Sequence, residues 1–219
     1  MEPQSTEPKL PPPVPAHDLF HVLDLVRRLS LHGAVKPLPT VLVWSIYVFV
    51  NGFISIALLA VLAVCTGVPF VFPSLGPTAY LLFFSPRAEA SSPRNTIIGH
   101  AIGLVCGYGA FELLGRPLAA AVGHGGFDWP RVIAAALSLA ATGALMVLFK
   151  AGHPPAGATT LIVSLGIIYK PWHLVVVMIA VVILTIQAWC INRVAGLPVP
   201  LWTARQSSNA TTPPASRTT

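Results

Sequence analysis

The chain has 219 residues, of which 54% are apolar and 9% charged, and its mean hydropathy is +0.74. A soluble domain carries about 25% charged residues, and disorder needs low hydrophobicity with high net charge. Both classes are excluded, and an integral membrane protein of several spans remains. Thirteen Lys and Arg against seven Asp and Glu give +6. The basic residues stand singly between apolar runs, with no basic stripe interleaved with aromatics. That pattern fits positive-inside anchoring in a lipid bilayer and not nucleic-acid binding.

Residues 1–40 form a head. Pro3, Pro8, Pro11, Pro12, Pro13 and Pro15 predict a disordered or polyproline-like start, with neither a signal peptide nor an Arg-rich transit peptide. The expected host is therefore the bacterial inner membrane. In residues 17–32, Leu19, Val22, Leu23, Val26 and Leu29 fall at helical spacing, with Arg27 and Arg28 on another face. This is either an amphipathic helix on the membrane surface or a cap on the bundle.

Residues 41–195 form the membrane domain. From Pro37 to Pro86 there is no Asp, Glu, Lys, Arg or His, which is too long for one span of about 20 residues. A full helix is predicted from Val41 to about Ala63. Gly67, Pro69 and Pro73 then break the run, and a short apolar piece follows from Leu75 to Phe84. Thr96 to Leu114 is a second full helix, with Gly99, Gly103 and Gly107 on one face. Such a stripe lets helices approach closely, within the subunit or across a homo-oligomer seam. Arg131 to Phe149 is a third full helix, 150–156 break the run, and Gly157 to Ile168 is a second short piece. His173 to Val194 is the last full helix. Residues 196–219 are Ser/Thr/Pro-rich and read as a disordered tail. Cys65, Cys106 and Cys190 are far apart without CxxC spacing, so neither a metal site nor a disulfide framework is expected, and no cofactor.

The fold class is all-α: a polytopic membrane helix bundle of four full transmembrane helices and two broken half-helix segments, in two internal repeats. PSLGPT at 73–78 and PPAGAT at 154–159 share P-x-x-G-x-T, each between a full helix and a short apolar piece. Matched Gly/Pro-interrupted segments point to a transporter's binding site. The short segments either cross the membrane or re-enter. Crossing, with an inside N-terminus, places Arg27, Arg28, Lys36, Arg87, Arg94, Lys150, Arg193, Arg205 and Arg217 on the inner side. It leaves Arg116, Arg131 and Lys170 outside, a better positive-inside balance than re-entry gives.

Non-helical backbone at membrane depth survives only where protein buries it or it lines a wet cavity. Each short helix presents N–H groups and a positive dipole end at its start, so two such starts facing each other predict a small-anion site. Gly76 and Gly157 would admit a ligand to the backbone. Ser74, Thr78, Thr159 and Thr160 would supply hydroxyls. Pro154 and Pro155 pre-set the helix start without losing a donor. His153 serves as a neutral donor or, protonated, as a cation that couples proton to anion movement. His100 faces the cavity or a neighbouring helix. Arg94, Asn95 and Lys150 are candidates for the entrance, with interfacial anchor, cap and snorkelling lysine as the plainer alternatives. Glu112, Trp129, Trp172 and Trp189 read as interfacial. No membrane-embedded Asp or Glu lies near either histidine, and no nucleophile set or metal-ligand spacing occurs, so an enzyme is not expected.

GHPPAGATTL at 152–161 resembles the signature of the HPP family of integral membrane proteins. FPSLGPTAYLLF at 72–83 is similar to that family's S-L-G-x-T-A segment, and PRNTIIGH at 93–100 to its P-R-N-x-I-x-G-H segment. The resemblance covers roughly residues 40–195, with Pro77 standing where a small residue is usual. It implies a compact bundle described as four-spanning, without enzymatic activity, whose plastid members are associated with nitrite transport. Carried over by motif, it adds Leu75 to the site residues already named. The function expected is a transporter or channel for a small inorganic anion such as nitrite; the alternative is a non-transporting scaffold or sensor.

Overall fold

The computed structural model describes residues 40–115 and 129–203. The Pro-rich head, the segment 17–32 expected to be amphipathic, residues 116–128 and the stretch beyond 203 lie outside the described residues. Among the described residues six α-helices follow in chain order: α1 (Thr40–Thr66), α2 (Leu75–Phe84), α3 (Pro93–Ala110, continued by a π-helical turn over Phe111–Gly115), α4 (Trp129–Leu148), α5 (Ala156–Ser164) and α6 (Pro171–Val194), with a 3-10 turn at Glu89–Ser91 between α2 and α3. No strand occurs among the described residues. α1, α3, α4 and α6 are each long and apolar enough to cross a membrane. α2 and α5 have 10 and 9 residues and so span about 15 Å, half of a hydrocarbon core about 30 Å thick.

Helix boundaries follow the prolines. α3 and α6 begin at Pro93 and Pro171, three and two residues earlier than expected, because proline at the first helical position forfeits a donor that would be free anyway. Ser92 caps α3, its Oγ accepting from the Asn95 N–H. α1 runs on to Thr66, whose hydroxyl donates back to the Leu62 carbonyl, and ends at Gly67 with φ +68°.

Packing fixes the direction of each helix. Down α3, Gly99 meets His153, Gly103 meets Ala156 and Thr160, Gly107 meets Thr160 and Val163, and Phe111 lies against Gly166. α5 therefore runs parallel to α3. The Arg94 guanidinium at the start of α3 donates to the Phe149 and Lys150 carbonyls just past the end of α4. The Arg94 N–H reaches Trp202 beyond α6. Asn192 near the end of α6 accepts from Tyr47 of α1 and donates to the Leu82 carbonyl of α2. One end of the bundle thus gathers the start of α1, the ends of α2, α4 and α6, and the start of α3. Each helix reverses the one before it, and both short helices pass through the bundle without turning back. The extended lead-in to α2 (67–74) comes from one end, and the lead-in to α5 (150–155) from the other.

The helices group into two bodies. α1, α2 and α6 supply most of an apolar core that includes Leu59, Phe72, Leu75, Phe83, Val177 and Leu184, and α3 and α5 reach into it with Leu104, Ile162 and Val163. α3, α4 and α5 pack through glycine and threonine. A Cβ on Gly103 would stand 2.7 Å from the Ala156 carbonyl oxygen, and one on Gly107 2.7 Å from that of Thr160. The glycine stripe is therefore consumed inside the subunit. Residues 196–203, expected in the disordered tail, pack back instead. Leu197 and Val199 are buried against Val43 and Trp44, and Trp189 Nε1 donates to the Pro200 carbonyl.

Candidate functional site

The first two turns of α2, the second turn of α3 and the start of α5 bring four side chains together. Thr78 comes from α2, His100 from α3, His153 from the lead-in to α5, and Thr159 from its first turn. All four are buried. Thr78 Oγ1 lies 2.9 Å from His100 Nε2 and 3.4 Å from His153 Nε2. His100 Nδ1 lies 2.8 Å from Thr159 Oγ1. His153 Nδ1 donates to the Ala90 carbonyl at 2.7 Å, and the two rings are 5.0 Å apart between centroids. Both imidazoles therefore turn their Nε2 atoms toward one hydroxyl.

Local sequence makes this arrangement. Gly99 is needed because a Cβ there would sit 2.6 Å from His153 Cβ; a larger residue would push the loop and its histidine off α3. Thr160 continues the polar seam, donating to the Ala156 carbonyl and lying 2.9 Å from Thr142 Oγ1 of α4. Two further buried hydroxyls, Ser74 Oγ and Thr96 Oγ1, have no hydrogen-bond partner among the described residues. Each stands one turn before a cluster residue, Ser74 before Thr78 and Thr96 before His100, and so on the same helical face. An unpartnered buried hydroxyl costs about 1–3 kcal/mol, so the cluster is flanked by two hydroxyls with unmet hydrogen-bonding capacity.

The expected anion site at two free helix starts is not what α5 presents. Its first N–H groups are taken by the His-Pro-Pro turn itself: Ala156 donates to the His153 carbonyl, Gly157 to that of Pro154 and Ala158 to that of Pro155. At α2 the Leu75 N–H goes to the Phe72 carbonyl, and Pro77 has none to offer. Three consecutive carbonyls close the turn because the two prolines hold φ near the helical value. Sequence alone did not reveal that this self-capping uses the donors.

The remaining sequence candidates divide. Leu75 belongs to the apolar core and Pro155 is buried. Gly76 faces away, exposed beside an apolar groove of about 550 Å³ between α1 and α2. Gly157 is half-buried, meeting only the end of the Leu139 side chain. Pro154, Lys150 and Asn95 line a second cleft, of about 390 Å³, with Glu89, Ala90 and Gly152. Because Ala90 also accepts from His153, this cleft lies one hydrogen bond from the histidine pair. The larger groove is apolar and touches neither histidine.

Arg94 does not point freely into the mouth. Besides the Phe149 and Lys150 carbonyls it donates to Asn95 Oδ1. Lys150 has φ +49°, a left-handed conformation that is uncommon for a side-chain-bearing residue. The Arg94 clamp holds both carbonyls of this turn. Sequence reasoning missed Thr96, whose signal was its position four residues before His100, and Ala90, whose contribution is a backbone carbonyl and left no signal.

The chain matches the family described as HPP, transmembrane region, over residues 37–200. It is 31% identical over 123 residues to a transmembrane protein of Dictyostelium discoideum. That alignment covers 54% of this chain and 35% of the relative, so the chain spans about a third of that relative's length. No solved structure matches. The match embraces every described helix and both interrupted segments, and the chain belongs to the HPP transmembrane family.

Proposed function

We propose that this integral membrane protein is a non-enzymatic transporter or channel for a small inorganic anion of the nitrite type, with protonation of the buried histidine pair linked to passage. The observation that carries the reading is the convergence of His100 and His153 on Thr78, inside a bundle whose two interrupted segments approach from opposite ends. Ionisable side chains at membrane depth are costly and mark transport pathways. Their hydrogen bonds here are made to hydroxyls and one carbonyl.

In this reading the helices form two three-span halves of opposite direction, α1–α3 and α4–α6, with α2 and α5 as the corresponding interrupted spans. Transporters built this way bind near the midplane where the interrupted helices meet. The cleft beside Ala90 serves as the entrance, with Asn95 and Lys150 at its wall. Ser74 and Thr96 offer hydroxyls to a guest that reaches the pair. The anion is held by side-chain donors, since the α5 helix start is already capped.

The test is nitrite uptake into proteoliposomes containing wild type or His153→Ala, with and without a pH gradient. Wild type is expected to take up nitrite faster with the gradient, and the variant to lose about 100-fold of that rate, the scale of a missing acid–base group. No movement of nitrite, nitrate or formate by the wild type would end the transport reading in favour of a scaffold or sensor.

A further inference from the structure

The hydrogen bonds of the two histidines have a direction. The Ala90 carbonyl only accepts, so His153 Nδ1 carries the hydrogen of that 2.7 Å bond. A neutral imidazole has one N–H, and His153 Nε2 therefore turns a lone pair to Thr78. The Thr78 hydroxyl has a single proton with which to fill it. Having given that proton away, Thr78 must receive from His100 Nε2, 2.9 Å off. This makes His100 the opposite tautomer, and its Nδ1 accepts from the Thr159 hydroxyl at 2.8 Å. Four bonds then run one way: Thr159 to His100, His100 to Thr78, Thr78 to His153, and His153 to Ala90.

One link has a competitor. Thr78 Oγ1 also lies 3.0 Å from the Ser74 carbonyl, nearer than His153 Nε2 at 3.4 Å. Rotating the O–H toward Ser74 opens the chain, and rotating it toward His153 closes it. The charged and titratable groups around the pair are few. His100 and His153 face each other across 5.0 Å. Glu89, from the turn before α3, and Lys150, from the end of α4, line the cleft. Arg94 is held on the Phe149 and Lys150 carbonyls and Asn95. α2 brings Thr78 and α5 brings Thr159; neither helix carries an acid, a base or a histidine.

We propose that this chain is a directional proton relay, with the Thr78 hydroxyl as its gate and His153 as the terminus that holds the proton beside the cleft. The proposal rests on the transport reading and supplies its proton step. A hydronium ion or a weak acid such as nitrous acid gives a proton to Thr159 Oγ1. The original Thr159 proton passes to His100 Nδ1, the His100 Nε2 proton to Thr78 Oγ1, and the Thr78 proton to His153 Nε2. Each N–H or O–H bond that breaks is matched by one that forms. The donor leaves as water or as the acid's anion, and the product is the His153 imidazolium, still donating through Nδ1 to Ala90. Its charge then faces the end of the bundle where the anion enters or leaves.

Two measurements test the relay on the full chain. Imidazole ¹⁵N NMR in nanodiscs should show His153 protonated at Nδ1 and His100 at Nε2; finding His100 protonated at Nδ1 in the neutral state overturns the direction. In proteoliposomes, Thr78→Val should reduce the pH-gradient-driven part of nitrite uptake at least about tenfold, while Thr78→Ser, which keeps the hydroxyl, retains it. A valine variant with the wild-type gradient response overturns the gate. Should the wild type move no nitrite at all, the transport reading falls, and the tautomers still decide the relay.

Discussion

The two bodies of the bundle solve the same packing problem in opposite ways. α1, α2 and α6 meet mainly through large side chains such as Leu59, Leu75, Phe83, Val177 and Leu184. α3, α4 and α5 meet through Gly99, Gly103, Gly107, Thr142 and Thr160, and α3 touches α5 backbone to backbone. Lipid tails are as apolar as leucine, so neither body is driven together by the hydrophobic effect. Close dispersion contact and interhelical hydrogen bonds do that work. The apolar body relies mainly on the first, with Asn192 adding hydrogen bonds to Tyr47 and the Leu82 carbonyl near one end, and is suited to be a frame. The polar body has both, and its threonines and histidines are held at fixed distances. Thr78 is where the frame reaches into the polar body, and the cluster forms at that junction.

The largest expected effect breaks the polar body. Gly103→Val puts carbon atoms into the Ala156 carbonyl and the Thr160 hydroxyl, 2.7 and 2.9 Å from a Cβ at that position. Neither neighbour can yield, because one is backbone and the other is tied to Thr142. Overpacking of this kind costs about 1–3 kcal/mol and occasionally more, and against two unyielding neighbours the upper end is expected. The variant should lose most of its folded, monodisperse protein in detergent size-exclusion chromatography, with transport falling in step. A variant that purifies and melts like wild type would show that α3 and α5 do not lie this close.

A smaller effect sharpens the contrast. Leu184→Ala opens the frame at a fully buried position. Because lipid also solvates leucine well, the transfer part of the usual loss largely drops out and the cavity part remains, about 2 kcal/mol. Thermal unfolding should occur at lower temperature, while nitrite uptake per folded molecule stays near the wild-type rate. Uptake that collapses without a shift in melting would mean that the frame, too, takes part in passage.

Much of this was legible in the sequence, and the limits have physical causes. The four long helices, the two short ones and the interruption at each P-x-x-G-x-T segment follow from hydropathy, glycine and proline alone. Thr78, Thr159 and His153 stand out in the sequence as donors at the interrupted segments, and His100 as a polar residue that faces either the cavity or a neighbouring helix. What sequence could not supply was orientation. Leu75 looks like part of a binding motif, yet its side chain completes the apolar core. Arg94 looks like a free cation at an entrance, yet carbonyls from residues more than fifty positions away occupy it. The His-Pro-Pro turn looks like an open helix start, yet its own carbonyls fill the donors. Each difference depends on where a side chain or carbonyl points after tertiary packing, and no local pattern encodes that.

The smallest expected effect concerns the two glycines of the shared motif. A ligand pressed against the backbone at Gly76 and Gly157 would be displaced by any Cβ, and Gly76→Ala or Gly157→Ala would then abolish transport. The structure gives the opposite expectation. A Cβ at Gly76 meets nothing within 4 Å, and one at Gly157 meets only Leu139 Cδ1 at 3.2 Å, the mobile end of a side chain. Both positions are helical, where alanine is favoured over glycine by about 0.4–1 kcal/mol through the unfolded chain. Both variants should therefore melt at or slightly above the wild-type temperature and take up nitrite at a similar rate. Retained uptake places the guest on the side-chain face of α2 and α5, where Thr78 and Thr159 point. Lost uptake with unchanged melting would move it to the glycine face, and the histidine pair would then sit behind the path instead of on it.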